Sequence, residues 1–165
     1  MFTIIVAVGL NGEIGTKNHL CFSIKADMKH FKETTYGKEV LMGRKTFDSL
    51  PKKPLPERKN YVVTRSAHYA NKEVSVINDL DEFISKYKDS DNEIFICGGA
   101  EIYKKFLPYC KKMIITEIQE TYNEADTFFP KIDFSSWRKK VLVDDYDEDR
   151  NTHNLVNYKI LEYSK

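Results

Sequence analysis

One carboxylate, Asp27, sits among apolar residues in the stretch from Asn18 to Phe31, NHLCFSIKADMKHF. Ile24, Met28 and Phe31 recur at the spacing of one helical face, and Asp27 lies beside that face. An acid in the first turn of a helix has an ordinary use, contact with the positive helix N-terminus. The alternative is a buried acid that pairs with the nitrogens of a ligand. A second group of candidates handles phosphate. Gly43 is followed by Arg44, Lys45 and Thr46, so free amides, two cations and a hydroxyl gather at a helix start. Solvated surface cations are the plainer account of the same residues. Thr64 and Arg65 close a separate β-branched run, and two arginines brought together suit a phosphate monoester. Gly98-Gly99 joins an apolar run to a helical pattern. A lone Gly-Gly is not the dinucleotide fingerprint, but amides at such a turn lie where a pyrophosphate binds.

The elements that would position these groups can be read in order. FTIIVAV, residues 2–8, has the unbroken apolar, β-branched character of a strand buried on both faces of a parallel sheet. GLNGEIGTKNHL follows with Gly9, Gly12 and Gly15, which makes it either an ordinary connection or a lid between that strand and Asp27. A helix from about Lys25 stops near Gly37, KEVLMG gives another strand, and a helix opens at Arg44. PKKPLPERK, with three prolines and four cations, must be a loop. Strands are expected at 60–65, 73–78, 94–97 and 111–118, the last carrying Thr116 inward, with Asn78 or Asp79 capping a helix over DLDEFISKYK. NEADTFFP is a polar turn. Strands at 137–143 and 155–163 flank the acidic run DDYDEDR, read as a solvated hairpin connection, which makes them antiparallel. The pattern predicts an α/β fold: a mostly parallel central sheet of about eight strands flanked by helices, with an antiparallel C-terminal hairpin. Ligands in such sheets bind beyond the carboxyl ends of the strands.

Composition narrows the ligand class. At 165 residues and 41% hydrophobic, the chain suits one domain over 1–165. Net charge is +1 with dispersed cations, which argues against nucleic-acid or anionic-membrane partners. Cys21, Cys97 and Cys110 form no CxxC pair, and His19, His30, His68 and His153 lack metal-ligand spacing, so reduced thiols and no metal are expected. The opening apolar run has no basic residues before it and is shorter than the ~20 residues of a membrane span. A cytoplasmic monomer acting on a small molecule is the expectation.

Taken together, IIVAV at 4–8, Ile14-Gly15, Asn18, Asp27 with Phe31, VLMGRKTFDSLPKKPLPERKN at 40–60, CGGAEIY at 97–103, Thr116 and EADTFFP at 124–130 resemble bacterial dihydrofolate reductase across essentially the whole chain. The resemblance implies 7,8-dihydrofolate as substrate, NADPH as cofactor and antifolates as inhibitors. It gives Asp27 the pterin 2-amino group and N3, with Thr116 supporting the carboxylate. It puts the carbonyls of Ile5 and Cys97 near the pterin edge and the nicotinamide, encloses the rings with Met28, Phe31, Leu50 and Leu55, and has Arg58 clamp the glutamate tail. Gly98, Gly99 and Ala100 match the pyrophosphate turn, with Glu101, Ile102 and Tyr103 beside it. Gly43, Arg44, Lys45, Thr46, Val63, Thr64 and Arg65 match the adenosine phosphate side, where the arginines favour NADPH over NADH. Ala7, Ile14, Gly15, Asn18, His19 and Leu20 match the nicotinamide half and its lid.

Three departures stand out. Cys21-Phe22 replaces a common Pro-Trp, Lys25 stands where proline is common, and Glu101 puts an acid near the cofactor phosphates. Two other functions share some of these residues. A reductase of a riboflavin-pathway pyrimidine would keep the phosphate turn without needing Asp27, Thr116 and Arg58 together. A nucleotide-binding protein without catalysis would treat Cys21-Phe22 as a decayed site.

Overall fold

The computed structural model describes residues 1–165. In chain order the elements are β1 (Phe2–Val8), β2 (Glu13–Thr16), β3 (His19–Leu20), α1 (Lys25–Thr35), β4 (Glu39–Gly43), α2 (Arg44–Ser49), β5 (Lys59–Val63) and β6 (Ser75–Ile77). There follow α3 (Leu80–Tyr87), β7 (Ile94–Ile96), α4 (Ala100–Phe106), β8 (Cys110–Ile118), β9 (Thr127–Phe128), β10 (Arg138–Glu148) and β11 (Leu155–Ser164). Eight strands form one sheet in the order β10-β11-β8-β1-β7-β4-β5-β6, and β3-β2-β9 form a second. The expected mixed sheet is what the chain adopts. The chain divides into two compact units, residues 1–4 with 35–111 and residues 5–34 with 112–165.

In the first unit, β7 pairs in parallel with β1 and with β4, β5 pairs in parallel with β4, and β6 with β5. The apolar runs explain why these strands are interior. Phe2, Ile4, Val40, Leu41, Val62, Ile94 and Ile96 are all fully buried, as strands covered on both faces require. Phe2 packs edge-on to Phe106 with centroids 4.8 Å apart, and Phe83 of α3 sits 5.0 Å from Tyr61. Asp79 caps α3 by accepting from the Glu82 N–H at 3.0 Å. Asn78, the other capping candidate, instead donates to the carbonyls of Thr64 and Ser66. The strand expected at 73–78 is only Ser75–Ile77, and that expected at 60–65 is Lys59–Val63, so Thr64 and Arg65 lie just past its carboxyl end.

In the second unit, β11 is antiparallel to β8 and to β10, with Ile160 opposite Thr116. The acidic run is not a connection. DDYDE continues β10 through Glu148, paired residue by residue with β11, and the turn is confined to residues 149–154. Exposed edge strands tolerate charge on the solvent face, so acidity marked an edge rather than a loop. The Gly-rich stretch also carries more order than a loop. β2 and β3 form a hairpin whose two central residues, Lys17 and Asn18, both have positive φ, 47° and 64°. That is the backbone a two-residue hairpin favours.

Candidate active site

Ser23 precedes α1 and Ala26 lies in its first turn, and their amides are taken by other residues. Asp149 Oδ1 accepts from the Ser23 N–H at 3.2 Å and Asp147 Oδ2 from the Ala26 N–H at 2.9 Å. Asp27, in the first turn, is not the acid that those two amides take. It faces β8 instead, where the Thr116 hydroxyl donates to Asp27 Oδ1 at 2.5 Å. Thr116 is 2% exposed and Asp27 half-buried, so the bond is shielded from water on the threonine side. Burial pushes the Asp27 carboxyl above its ordinary range, while the Thr116 bond and the nearby His30 act in the opposite direction. A carboxyl poised in this way can hold a proton or pair with a cationic heterocycle.

The face around the acid is split. Ile24 is 2% exposed and anchors α1, whereas Met28 is 50% exposed and Phe31 is half-buried. Met28 and Phe31 thus keep part of their surface exposed, and the Arg150 guanidinium donates to Met28 Sδ at 2.7 Å. His30, one turn beyond Asp27, has its Nε2 buried with no hydrogen-bond partner, and burial lowers its pKa. Sequence reasoning treated it only as a scattered histidine. In the candidate lid, Leu20 is 72% exposed, Asn18 and His19 are exposed, and Ile14 is buried. The hairpin is tied down by Asp126, whose Oδ2 accepts from the Lys17 N–H at 2.9 Å, and by the Thr16 hydroxyl on the Glu124 carbonyl. Ile5 is buried within β1 and Ala7 is half-buried. Cys21 and Phe22 are both buried, and Phe22 packs edge-on to Tyr122 at 6.2 Å.

The first unit holds the other candidates. Adjacent parallel strands β4 and β5 align Gly43 with Val63, so Arg44 and the pair Thr64, Arg65 leave the sheet at the same edge. β7 ends beside β4, and the Gly43 N–H donates to the Gly98 carbonyl at 2.9 Å. Gly98 has φ of +114°, and a Cβ there would meet the Tyr103 hydroxyl at 3.2 Å. The Gly98-Gly99 peptide is cis. Gly99 caps α4 without any side-chain bond to its first-turn amides. Gly99 and Ala100 are half-buried, and a Cβ on Gly99 would lie 3.5 Å from Thr46 Oγ1. This donor-lined turn with no side chain in the way fits a pyrophosphate. Glu101 is exposed, Ile102 is half-buried and packs 3.4 Å from the Cβ position of Gly43, and Lys45 is exposed. Arg44 already holds Asp48 at 2.9 Å.

The Pro-rich loop is more ordered than its composition suggested. Asn60 Oδ1 accepts from the Leu55 N–H, and its Nδ2 donates to the carbonyls of Leu55 and Arg58, at 2.9 to 3.0 Å. Arg58 is half-buried and donates to Thr35 Oγ1 at 3.1 Å and to the Pro56 carbonyl at 2.9 Å. Those bonds hold a guanidinium whose remaining N–H groups can clamp a carboxylate. Leu50 and Leu55 are half-buried. Sequence reasoning missed Asn60 and Thr35. An asparagine inside a β-branched run, directly after a proline loop, was the available signal. Cys97 has a half-buried side chain, and its N–H donates to the Leu41 carbonyl.

The chain matches the dihydrofolate reductase family model over residues 1–165. It is 37% identical over 145 residues to the dihydrofolate reductase of Haemophilus influenzae, covering 88% of this chain and 87% of that one. It is 33% identical to that of Bacillus subtilis, covering 100% of this chain and 95% of the relative. Among solved structures, the dihydrofolate reductase of Enterococcus faecalis complexed with NADP(H) and RAB-propyl aligns with a TM-score of 0.86 at 32% identity, covering 99% of this chain and 95% of that one.

Proposed function

The chain belongs to the dihydrofolate reductase family, an NADPH-dependent oxidoreductase that reduces 7,8-dihydrofolate to 5,6,7,8-tetrahydrofolate, and from that premise we propose which residues carry the reaction. Asp27 anchors the pterin through its 2-amino group and N3, and Thr116 fixes the carboxylate that does so. The observation that carries this reading is the part-buried Thr116 to Asp27 bond, made while Asp147 takes the Ala26 amide in the first turn. Met28, Phe31, Leu50 and Leu55 enclose the rings, and Arg58, oriented by Thr35, takes the α-carboxylate of the tail. The carbonyls of Ile5 and Cys97 border the pterin edge and nicotinamide.

NADPH, when bound, supplies the hydride for pterin C6. Gly98, Gly99 and Ala100 would hold its pyrophosphate, with Gly43, Thr46, Val63, Glu101, Ile102 and Tyr103 around them. Arg44, Lys45, Thr64 and Arg65 would hold the adenosine phosphate and select NADPH over NADH. Ala7, Ile14, Gly15, Asn18, His19 and Leu20 would cover the nicotinamide half and exclude water. Protonation at N5 must accompany reduction, and Asp27 serves it by stabilising the protonated pterin, through water rather than by direct contact. Residues 1–165 work as one domain, a cytoplasmic monomer with no nucleic-acid or membrane partner, inhibited by antifolates. No helix is long and apolar enough to cross a membrane.

The test is Asp27→Asn, assayed by loss of NADPH absorbance on adding dihydrofolate. Turnover at neutral pH should fall on the order of a hundredfold or more while NADPH binding persists. Full activity in that variant would remove Asp27 from the mechanism.

A further inference from the structure

Glu13 is 2% exposed at the start of β2, one residue before Ile14, and no cation pairs with it. Its carboxylate is occupied by backbone instead. Oε1 accepts from the Asn11 N–H at 2.6 Å, and Oε2 accepts from the Tyr122 N–H at 2.6 Å. One oxygen therefore closes the turn at the root of the lid, and the other holds a segment over a hundred residues later in the chain. The surrounding backbone is built to the same plan. Gly9 N–H donates to the Glu13 carbonyl at 3.0 Å, and Leu10 N–H donates to the Glu120 carbonyl at 2.8 Å. Gly9 leaves the room: a Cβ there would lie 2.8 Å from Glu13 Oε1, 2.8 Å from Phe22 Cζ and 2.9 Å from the Glu120 carbonyl.

Two N–H groups aimed at two oxygens require an acceptor at both. A carboxylate meets that need, whereas an amide of the same shape would turn its NH2 against one donor and break that bond. Successive strand residues point to opposite faces, so pinning Glu13 also fixes the direction in which Ile14 points. The tethers nearer the tip are more exposed: the Lys17 amide on the Asp126 carboxylate and the Thr16 hydroxyl on the Glu124 carbonyl. The buried anchor is at the root.

We propose that Glu13 is a positioning residue for the lid: its carboxylate ties residues 9–14 to Tyr122 and thereby sets the rate at which the cofactor leaves, with little effect on hydride transfer. This rests on the assignment of residues 9–20 as the lid over the nicotinamide half.

The experiment compares Glu13→Gln with the unmodified chain in NADPH release, followed by stopped-flow trapping, and in single-turnover hydride transfer. Release should accelerate on the order of tenfold, the equivalent of one charge-assisted hydrogen bond, while hydride transfer stays within about twofold. Gly9→Ala displaces the same carboxylate by a different route and should give the same split. A lower melting temperature in both variants with release unchanged would make Glu13 merely structural and overturn the proposal. If Glu13→Gln does not fold, amide exchange in the unmodified chain decides: Asn11 and Tyr122 should exchange far more slowly than Lys17, and equal rates would overturn the tie. If the unmodified chain binds NADPH but does not reduce dihydrofolate, the parent assignment fails, and the release rates still judge Glu13.

Discussion

Asp27 is held in a condition that costs stability. Its carboxyl titrates higher in the folded chain than its ordinary value of 3.8, because burial outweighs the Thr116 bond and His30. The folded state therefore binds more protons than the unfolded one in that window, and stability is lost as pH rises from the unfolded value through the folded one. Asp27→Asn removes this dependence while leaving Thr116 an oxygen to donate to. Its melting temperature should exceed that of the unmodified chain at neutral pH and match it more closely in acid; a lower value at neutral pH would show that the ionised carboxylate is well solvated. Thr116→Val removes the donor that lowers the Asp27 pKa, so the carboxyl should move further up. The alkaline limb of the turnover profile should shift to higher pH and the KM for dihydrofolate should rise roughly tenfold, both read from initial rates across pH. At this scale the sequence offered two accounts of Asp27, and the observation that bears on them was not local. That observation, Asp147 and Asp149 reaching amides at the helix start, comes from more than 120 residues away, in an acidic run read as a solvated hairpin connection.

Elements were legible where a local pattern suffices and obscure where a distant partner decides. The buried strands, the Gly-Gly turn and the Gly37 helix stop follow from periodicity and backbone freedom, and they stand where expected. The end of β10 did not, because its strand character comes from pairing with β11 rather than from its own acidic residues. The Pro-rich segment is a similar case: its shape is set by Asn60, which sits in the following strand. Asn60→Ala leaves the Leu55 N–H and two carbonyls without partners, at about 3 kcal/mol of stability. If that loop positions Arg58, KM for dihydrofolate should rise with kcat nearly unchanged, and an equal fall in both kcat and kcat/KM would point elsewhere. Gly98→Ala tests the turn after β7. At φ of +114° and with Tyr103 3.2 Å from the new methyl, the substitution should weaken NADPH binding by one to two orders of magnitude, measured by fluorescence titration. Unchanged affinity would mean that the cofactor phosphates lie elsewhere.

At the scale of the whole molecule, the two units divide the candidate chemistry. Residues 5–34 with 112–165 hold Asp27, Thr116 and the candidate lid, whereas residues 1–4 with 35–111 hold the Gly98-Gly99 turn and Arg58. The sequence suggested a single domain because no linker or change in composition separates these parts; the chain simply passes between the units within its strands and helices. The three cysteines fall on both sides of that division, Cys21 in one unit and Cys97 and Cys110 in the other. Burial pushes the Cys21 thiol up to about 11, with Glu13 and Asp126 adding to the effect, and pushes Cys97 and Cys110 up to about 12. At neutral pH on the order of one thiol in ten thousand, or fewer, is then in the reactive thiolate form. A thiol-reactive reagent should therefore leave the native chain almost unlabelled, and mass spectrometry in mild denaturant should show label entering Cys21 on a timescale independent of the other two. Rapid labelling of all three in the native state would contradict this. The sulfurs thus serve as built-in clocks, one in the unit of Cys21 and two in the other, that start only when that part of the chain opens.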